Sequence, residues 1–355
     1  MQIKMNRRHV LRMGAGILGA LALEAVMVNP ARSAVKGREL RINTLSSAAA
    51  VNVPLQVALR DILPSQNKDI TTRVQPTAKI SQIVQEVVTG GADLGDADIA
   101  TTLLAAEAGA DIRIIGLSYS NTTQVVVVNT DKIKSLADFG TQQVTVAVNS
   151  IGDFTHVMIL GVLKKHNIDP AKVNFIEIGS SGDRMRSLAV GRVDAVPVHI
   201  EQAEQLKKIK GRGTFDILIR PWEEFRNWYS VVLIASEKWL AVPENQTAAV
   251  EALKAVLTSF RKTDSDYAWY KEQVSKYATS AELRSADDVF LHPVWETLTS
   301  QVKAFPPDME TLTVNGLAEI LPVYRDAGVL KGNVDLNKLV DLTYLKRAIA
   351  ELGAS

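Results

Sequence analysis

Two stretches of this chain repeat one pattern. "VVTGGADLGDADIA" (residues 87–100) and "SLAVGRVDAVPVHIEQ" (residues 187–202) both read helix, glycine, aspartate, short strand, isoleucine. Gly90 matches Gly191, Asp93 matches Asp194, Asp98 matches His199 and Ile99 matches Ile200, at a constant offset of 101 residues. The glycines stand where a helix C-cap is expected. The elements ahead of them also match. "ELRINTL" (39–45) alternates as a strand does, "DITTRVQ" is a second β-rich run, and Ser81–Thr89 sets Ile83, Val84, Val87 and Val88 on one helical face. In the second cycle "QQVTVAVN", a helix over Phe154–His166, "VNFIEI" and a helix over Arg184–Val190 follow in the same order. Strands alternating with helices of this length imply parallel sheets. A repeat of a whole βαβα unit constrains the chain to two α/β lobes of similar topology.

Three segments frame the two cycles. "TTQVVVVNT" near residue 125 is nearly all apolar, as a strand buried on both faces is. "WYSVVLIAS" (228–236) is another strand, and from Thr247 onward the pattern is helical to the end. The first stretch, "MNRRHVLRMGAGILGALALEAV" (residues 5–26), fits no lobe. Its apolar run is interrupted by Glu24 and is shorter than the roughly 20 residues that span a bilayer. Arg7, Arg8 and Arg12 precede it, and Ala31 and Ser33 offer small residues at a cleavage point. Residues 1–33 therefore read as a cleaved export signal, similar to the twin-arginine type, and a periplasmic location follows. The domain reading is a first lobe begun by residues 34–128, a second lobe over 129–231, and a return to the first lobe with a helical C-terminus over 232–355.

Composition narrows the chemistry. The chain has a formal charge of +1, and removing the basic leader leaves about −3, without the basic stripe that nucleic acid requires. There is no cysteine, so thiolate catalysis, iron–sulfur ligation and cysteine–zinc sites are excluded. Beyond the leader only His156, His166, His199 and His292 remain, with no metal-ligand spacing, and no phosphate-binding glycine loop or nucleophile elbow occurs. No metal, no cofactor and no enzymatic activity are expected. An exported two-lobed α/β chain of this kind suits a receptor that closes on a small organic solute.

The succession "EVVTGGADLGDADIATTLLAAEAGADIRIIG", "SLADFGTQQVTVAVN…LKKHNIDP" and "SLAVGRVDAVPVHIEQ" resembles the type II solute-binding receptors of ABC importers, in the branch that handles nitrate, taurine, alkanesulfonates and thiamine-pyrimidine precursors. The resemblance implies a two-lobed periplasmic-binding-protein fold (type II), each lobe a mostly parallel sheet flanked by helices. It implies a monomer that delivers its ligand to an ABC transporter permease, with crossing strands near Val125–Asn129 and Val231–Ala235. An exported enzyme on the same fold, or a ligand-sensing subunit that docks on a membrane sensor, are the alternatives. Where the family often has an aromatic and an acid–proline pair, this chain reads "PVHIEQ".

Ligands of open α/β sheets bind beyond the carboxyl ends of the strands, which selects candidate residues. Ser46, Ser47 and Asn52 follow the first strand, the serines as hydroxyl donors or as turn residues. Asp96 and Asp98 offer carboxylates, with Asp98 equally placed to cap the helix at Ile99. Ser150 and Asp153, and Ser181 with its neighbours Ser180 and Asp183, precede helices whose free N–H groups suit an anion; plain capping explains them as well. His199 mirrors Asp98, with Glu201 at hand to orient it. Trp228 and Tyr229 either stack on a flat ligand or pack in the core. Arg184 and Arg186 are possible partners for a carboxylate or sulfonate.

Overall fold

The computed structural model describes residues 37–45, 49–77, 80–225 and 227–353. The expected export signal, and the candidates Ser46 and Ser47, lie outside the described residues. Two five-stranded sheets organise the chain. The first uses β1 (Arg38–Leu45), β2 (Ile70–Thr77), β3 (Leu94–Asp98), β4 (Ile112–Tyr119) and β10 (Val231–Ser236), in the order β2-β1-β3-β10-β4. The second uses β5 (Gln124–Asn129), β6 (Val144–Val148), β7 (Val173–Glu177), β8 (Ala195–His199) and β9 (Phe215–Ile219), in the order β7-β6-β8-β5-β9.

The two orders are the same. In each sheet the first three strands of the cycle pair parallel, and one strand from elsewhere in the chain, β10 or β5, runs antiparallel beside the third. The repeat seen in the sequence is thus a repeat in space. Gly90 and Gly191 both adopt positive φ, 79° and 74°, as helix-terminating glycines do. Asp93 accepts the Arg41 N–H of β1 at 2.8 Å, and Asp194 accepts the Thr145 N–H of β6 at 2.9 Å. Each aspartate pins its strand to the neighbouring one at the same rung.

The crossings fall just outside the expected strands. β5 pairs only within the second sheet and β10 only within the first, because a strand hydrogen-bonded along both edges is committed to one sheet over its full length. The chain therefore passes from the first sheet to the second between β4 and β5 and returns between β9 and β10, and β5, grouped with the first lobe up to residue 128 in the sequence reading, lies in the second sheet.

The C-terminal helices touch both lobes. The helix Pro243–Ser265 lies against the first sheet, with Leu253 over Gly116. The helix Val314–Asp326 packs on the second-lobe helix Phe154–Lys165, where Val323 meets Gly161 and Asp326 pairs with Lys164. Among the described residues no helix is long and apolar enough to cross a membrane.

Candidate functional site

A cleft of about 580 Å³ opens between the lobes at the carboxyl ends of the parallel strands. Because β5 runs antiparallel, its amino end faces the same side, and Gln124 lines the cleft beside Tyr119 at the end of β4. The first lobe adds Leu45, Asn52 and Thr77, and Thr279 enters from the C-terminal segment.

Most of the wall comes from helix amino ends of the second lobe. Phe154 and Thr155 open the helix Phe154–Lys165, Ser181, Gly182 and Asp183 open the helix Ser181–Ala189, and His199 precedes the helix Ile200–Lys208. A helix leaves its first-turn N–H groups without intrahelical partners, and its dipole favours negative charge there. The loops before these helices are tied down. Thr155 Oγ1 accepts the Asn149 N–H at 3.1 Å and donates to Asp153 Oδ1 at 2.7 Å, while Asn149 Nδ2 donates to the Gly179 carbonyl at 3.1 Å. Ser180 caps its helix by accepting the Asp183 N–H at 3.2 Å, so that helix begins three residues earlier than its apolar pattern suggests.

Arg184 is the central cation. It is 1 % exposed, and its guanidinium donates to the Pro197 carbonyl at 2.9 Å, to Gln124 Oε1 at 3.2 Å and to the Gly179 carbonyl. Burial pulls its pKa down to about 10, against the pull of Asp153 and Asp183, so it stays charged at neutral pH. Arg186, on the cleft rim, pairs with Asp183.

His199 lines the cleft as a neutral ring. Burial, reinforced by the Arg184 charge, lowers its pKa to about 3, and Nδ1 lies 3.1 Å from Thr123 Oγ1. Glu201 does not orient it; that carboxylate turns instead to the Ala50 N–H of the first lobe at 3.0 Å.

The remaining candidates lie elsewhere. Asp96 and Asp98 are buried beneath the cleft and do not line it. Asp96 accepts the Leu45 N–H at 3.1 Å and the Ser118 hydroxyl, and burial raises its pKa to about 6. Asp98 Oδ1 caps its helix, accepting the Thr101 N–H at 2.8 Å and the Thr101 hydroxyl at 2.9 Å. Burial, with the charge of Asp153, raises the Asp98 pKa to about 7. Asp153 is likewise a helix cap, accepting the His156 N–H at 3.0 Å, and burial raises its pKa. Ser150 is exposed and bonds to Asn149 Oδ1 at 3.2 Å. Trp228 and Tyr229 are fully buried: Trp228 packs 4.6 Å from the Phe225 ring, and the Tyr229 hydroxyl donates to the Thr311 carbonyl. Of the candidates inside the described residues, the structure brings Asn52, Ser180, Ser181, Asp183 and His199 to the cleft wall, and Arg184 and Arg186 with them. Tyr119, Gln124, Thr77 and Thr279 join them without having been singled out. Gln124 alone carried a signal, being the first residue of an all-apolar strand.

Two sheets of one order about a shared cleft define the two-lobed fold of periplasmic binding proteins. The chain belongs to the NMT1/THI5-like family, whose model matches residues 66–263. No curated protein matches it by sequence. The fold is similar to the ligand-binding component of an ABC-type import system from Staphylococcus aureus, solved with zinc bound, at TM-score 0.70 and 14% identity over 88% of this chain and 99% of that one. It is similar to the alkanesulfonate-binding protein SsuA from Xanthomonas axonopodis pv. citri bound to MOPS (TM-score 0.65, 15% identity, 86% and 99% covered). It is also similar to the periplasmic nitrate-binding protein NrtA from Synechocystis PCC 6803 (TM-score 0.68, 13% identity, 89% of each chain).

Proposed function

We propose that the protein is an exported solute receptor that takes up a small molecule with an anionic group in the interlobe cleft and delivers it to the permease of an ABC importer. The observation that carries this reading is the cleft wall itself: three helix amino ends converge on it around the charged, fully buried Arg184. Acidic groups are near, and they weigh less. Asp96, Asp98 and Asp153 lie behind the wall, each with a pKa raised by burial, and Asp183 is already paired with Arg186. The names of two of the similar structures, for an alkanesulfonate and for nitrate, are both of anions, which agrees with the same chemistry. The basic, weakly apolar leader supports export, and the absence of any nucleophile motif or metal-ligand spacing favours binding over turnover.

Native mass spectrometry of freshly purified protein tests the reading by looking for a co-purified small molecule. Thermal-shift screening over sulfonates, carboxylates, nitrate, amines and pyrimidines follows. A ligand at 100-fold excess over its Kd adds about 2.7 kcal/mol to stability. Hits confined to anions are expected; hits confined to amines, or conversion of a hit to product, overturn the reading.

A further inference from the structure

Glu201 is the second residue of its helix and belongs to the second lobe, yet its carboxylate partner is on the first. Oε1 accepts the Ala50 N–H at 3.0 Å. Ala50 opens the 3-10 turn Ala50–Asn52, whose N-cap, Ala49, makes no side-chain cap hydrogen bond. The same residue is also held through its other backbone group: the Ala50 carbonyl accepts the Tyr270 hydroxyl at 3.2 Å, from the helix Tyr267–Tyr277. Ala50 and Glu201 are 0 % and 2 % exposed. Neither lines the cleft, although their neighbours Asn52, His199 and Gln202 do.

We infer that Glu201 is the latch of the receptor: it caps the Ala50 turn of the opposite lobe only when the lobes meet, and so sets the balance between open and closed forms without touching solute. The inference rests on the receptor reading only for what closure serves. A carboxylate that reaches a backbone donor across a seam is buried by closure and regains water on opening. The groups facing it are the Ala50 N–H, its own backbone N–H, Tyr119 at the end of β4 and Tyr270; Asp96 and Asp98 act on the same Tyr119 hydroxyl, and among the described residues no basic group offsets them. Burial accordingly raises the Glu201 pKa to about 7, against an ordinary 4.5 once the lobes part. Closure then takes up a proton, and the closed form gains as pH falls between those two values.

The test uses the full chain stripped of solute by unfolding and refolding, and reads the radius of gyration by small-angle X-ray scattering at pH 8 and pH 5. The wild type is expected to become more compact at pH 5, its closed-to-open ratio rising by about tenfold or more. Glu201→Gln keeps an acceptor for Ala50 and cannot ionise, so it is expected to be compact already at pH 8. Glu201→Ala is expected to remain expanded at both. A Glu201→Ala curve that overlays the wild type overturns the latch. Should that variant fail to fold, by far-ultraviolet circular dichroism, identical wild-type and Glu201→Gln curves overturn it equally. A lobe balance that ignores Glu201 in a protein that binds an anion defeats the latch alone; one that follows Glu201 in a protein that binds nothing defeats the receptor reading alone.

Discussion

Asp98 and His199 hold the same corner in the two lobes. Each ends the strand that pairs with the antiparallel one, and each precedes a helix. The residue after each donates its N–H to the segment entering that antiparallel strand: Ile99 to the Ser230 carbonyl at 3.0 Å, Ile200 to the Thr123 carbonyl at 3.2 Å. The backbone arrangement is shared, and the side chains have parted ways. One carboxyl is sealed beneath the cleft, and one neutral imidazole lines it.

Asp98 makes stability depend on pH. Its folded pKa, about 7, stands above its ordinary 3.8, so its contribution is fully present below that lower value and is lost as pH rises through 7. Asp98→Asn keeps a capping oxygen and removes the charge. Urea denaturation is expected to show the variant roughly 1–3 kcal/mol more stable than wild type at pH 8, and nearly equal at pH 5. A variant weaker at both pH values would mean that the buried Asn amide, standing where Asp98 Oδ2 has no hydrogen-bond partner, costs more than the removed charge gains.

His199 is held neutral, its pKa about 3. Its ring proton resonances in an NMR titration are expected to stay flat from pH 5 to 8. A His199 midpoint near 6.5 would show that the ring is hydrated in solution.

Arg184 holds three acceptors from different parts of the second lobe. Arg184→Ala takes the guanidinium from the Pro197 carbonyl and Gln124 Oε1 and leaves the Gly179 carbonyl only its bond from Asn149, at a cost of roughly 3 kcal/mol in chemical denaturation. Arg184→Lys is expected to recover only part of this, since an ammonium cannot reproduce the planar fork.

Gly161 lets the C-terminal helix lie close on the second lobe. A Cβ there would stand 2.6 Å from Val323 Cγ1 and 3.1 Å from Phe225 Cζ. Gly161→Ala is expected to lower stability by about 1–3 kcal/mol through overpacking, although alanine is the better helix former. The double variant with Val323→Ala should recover much of the loss in the same thermal melt.

The lobes were legible because their signals are local: a helix-ending glycine, an aspartate one turn on, and a β-run of fixed length recur within one short window, twice. Capping was legible too, and Asp98 and Asp153 serve as caps. Trp228 and Tyr229 show where local signals stop. Their position ahead of a strand suits a cleft, and only the burial supplied by Phe225, Tyr324 and Thr311 takes them out of it. The reach of Glu201 to Ala50, like the entry of Thr279, joins residues far apart in sequence, which no periodicity records.

The two sheets share a strand order and differ in when their strands leave the ribosome. The second is built from residues 124–219 without interruption, so a growing chain can complete it as it emerges. The first waits for β10: until residues 231–236 are made, β3 has an open edge and β4 has no sheet partner among the described strands. The lobe translated first is therefore the one finished last, and through that interval its bare edge is the part of the nascent protein most in need of a chaperone.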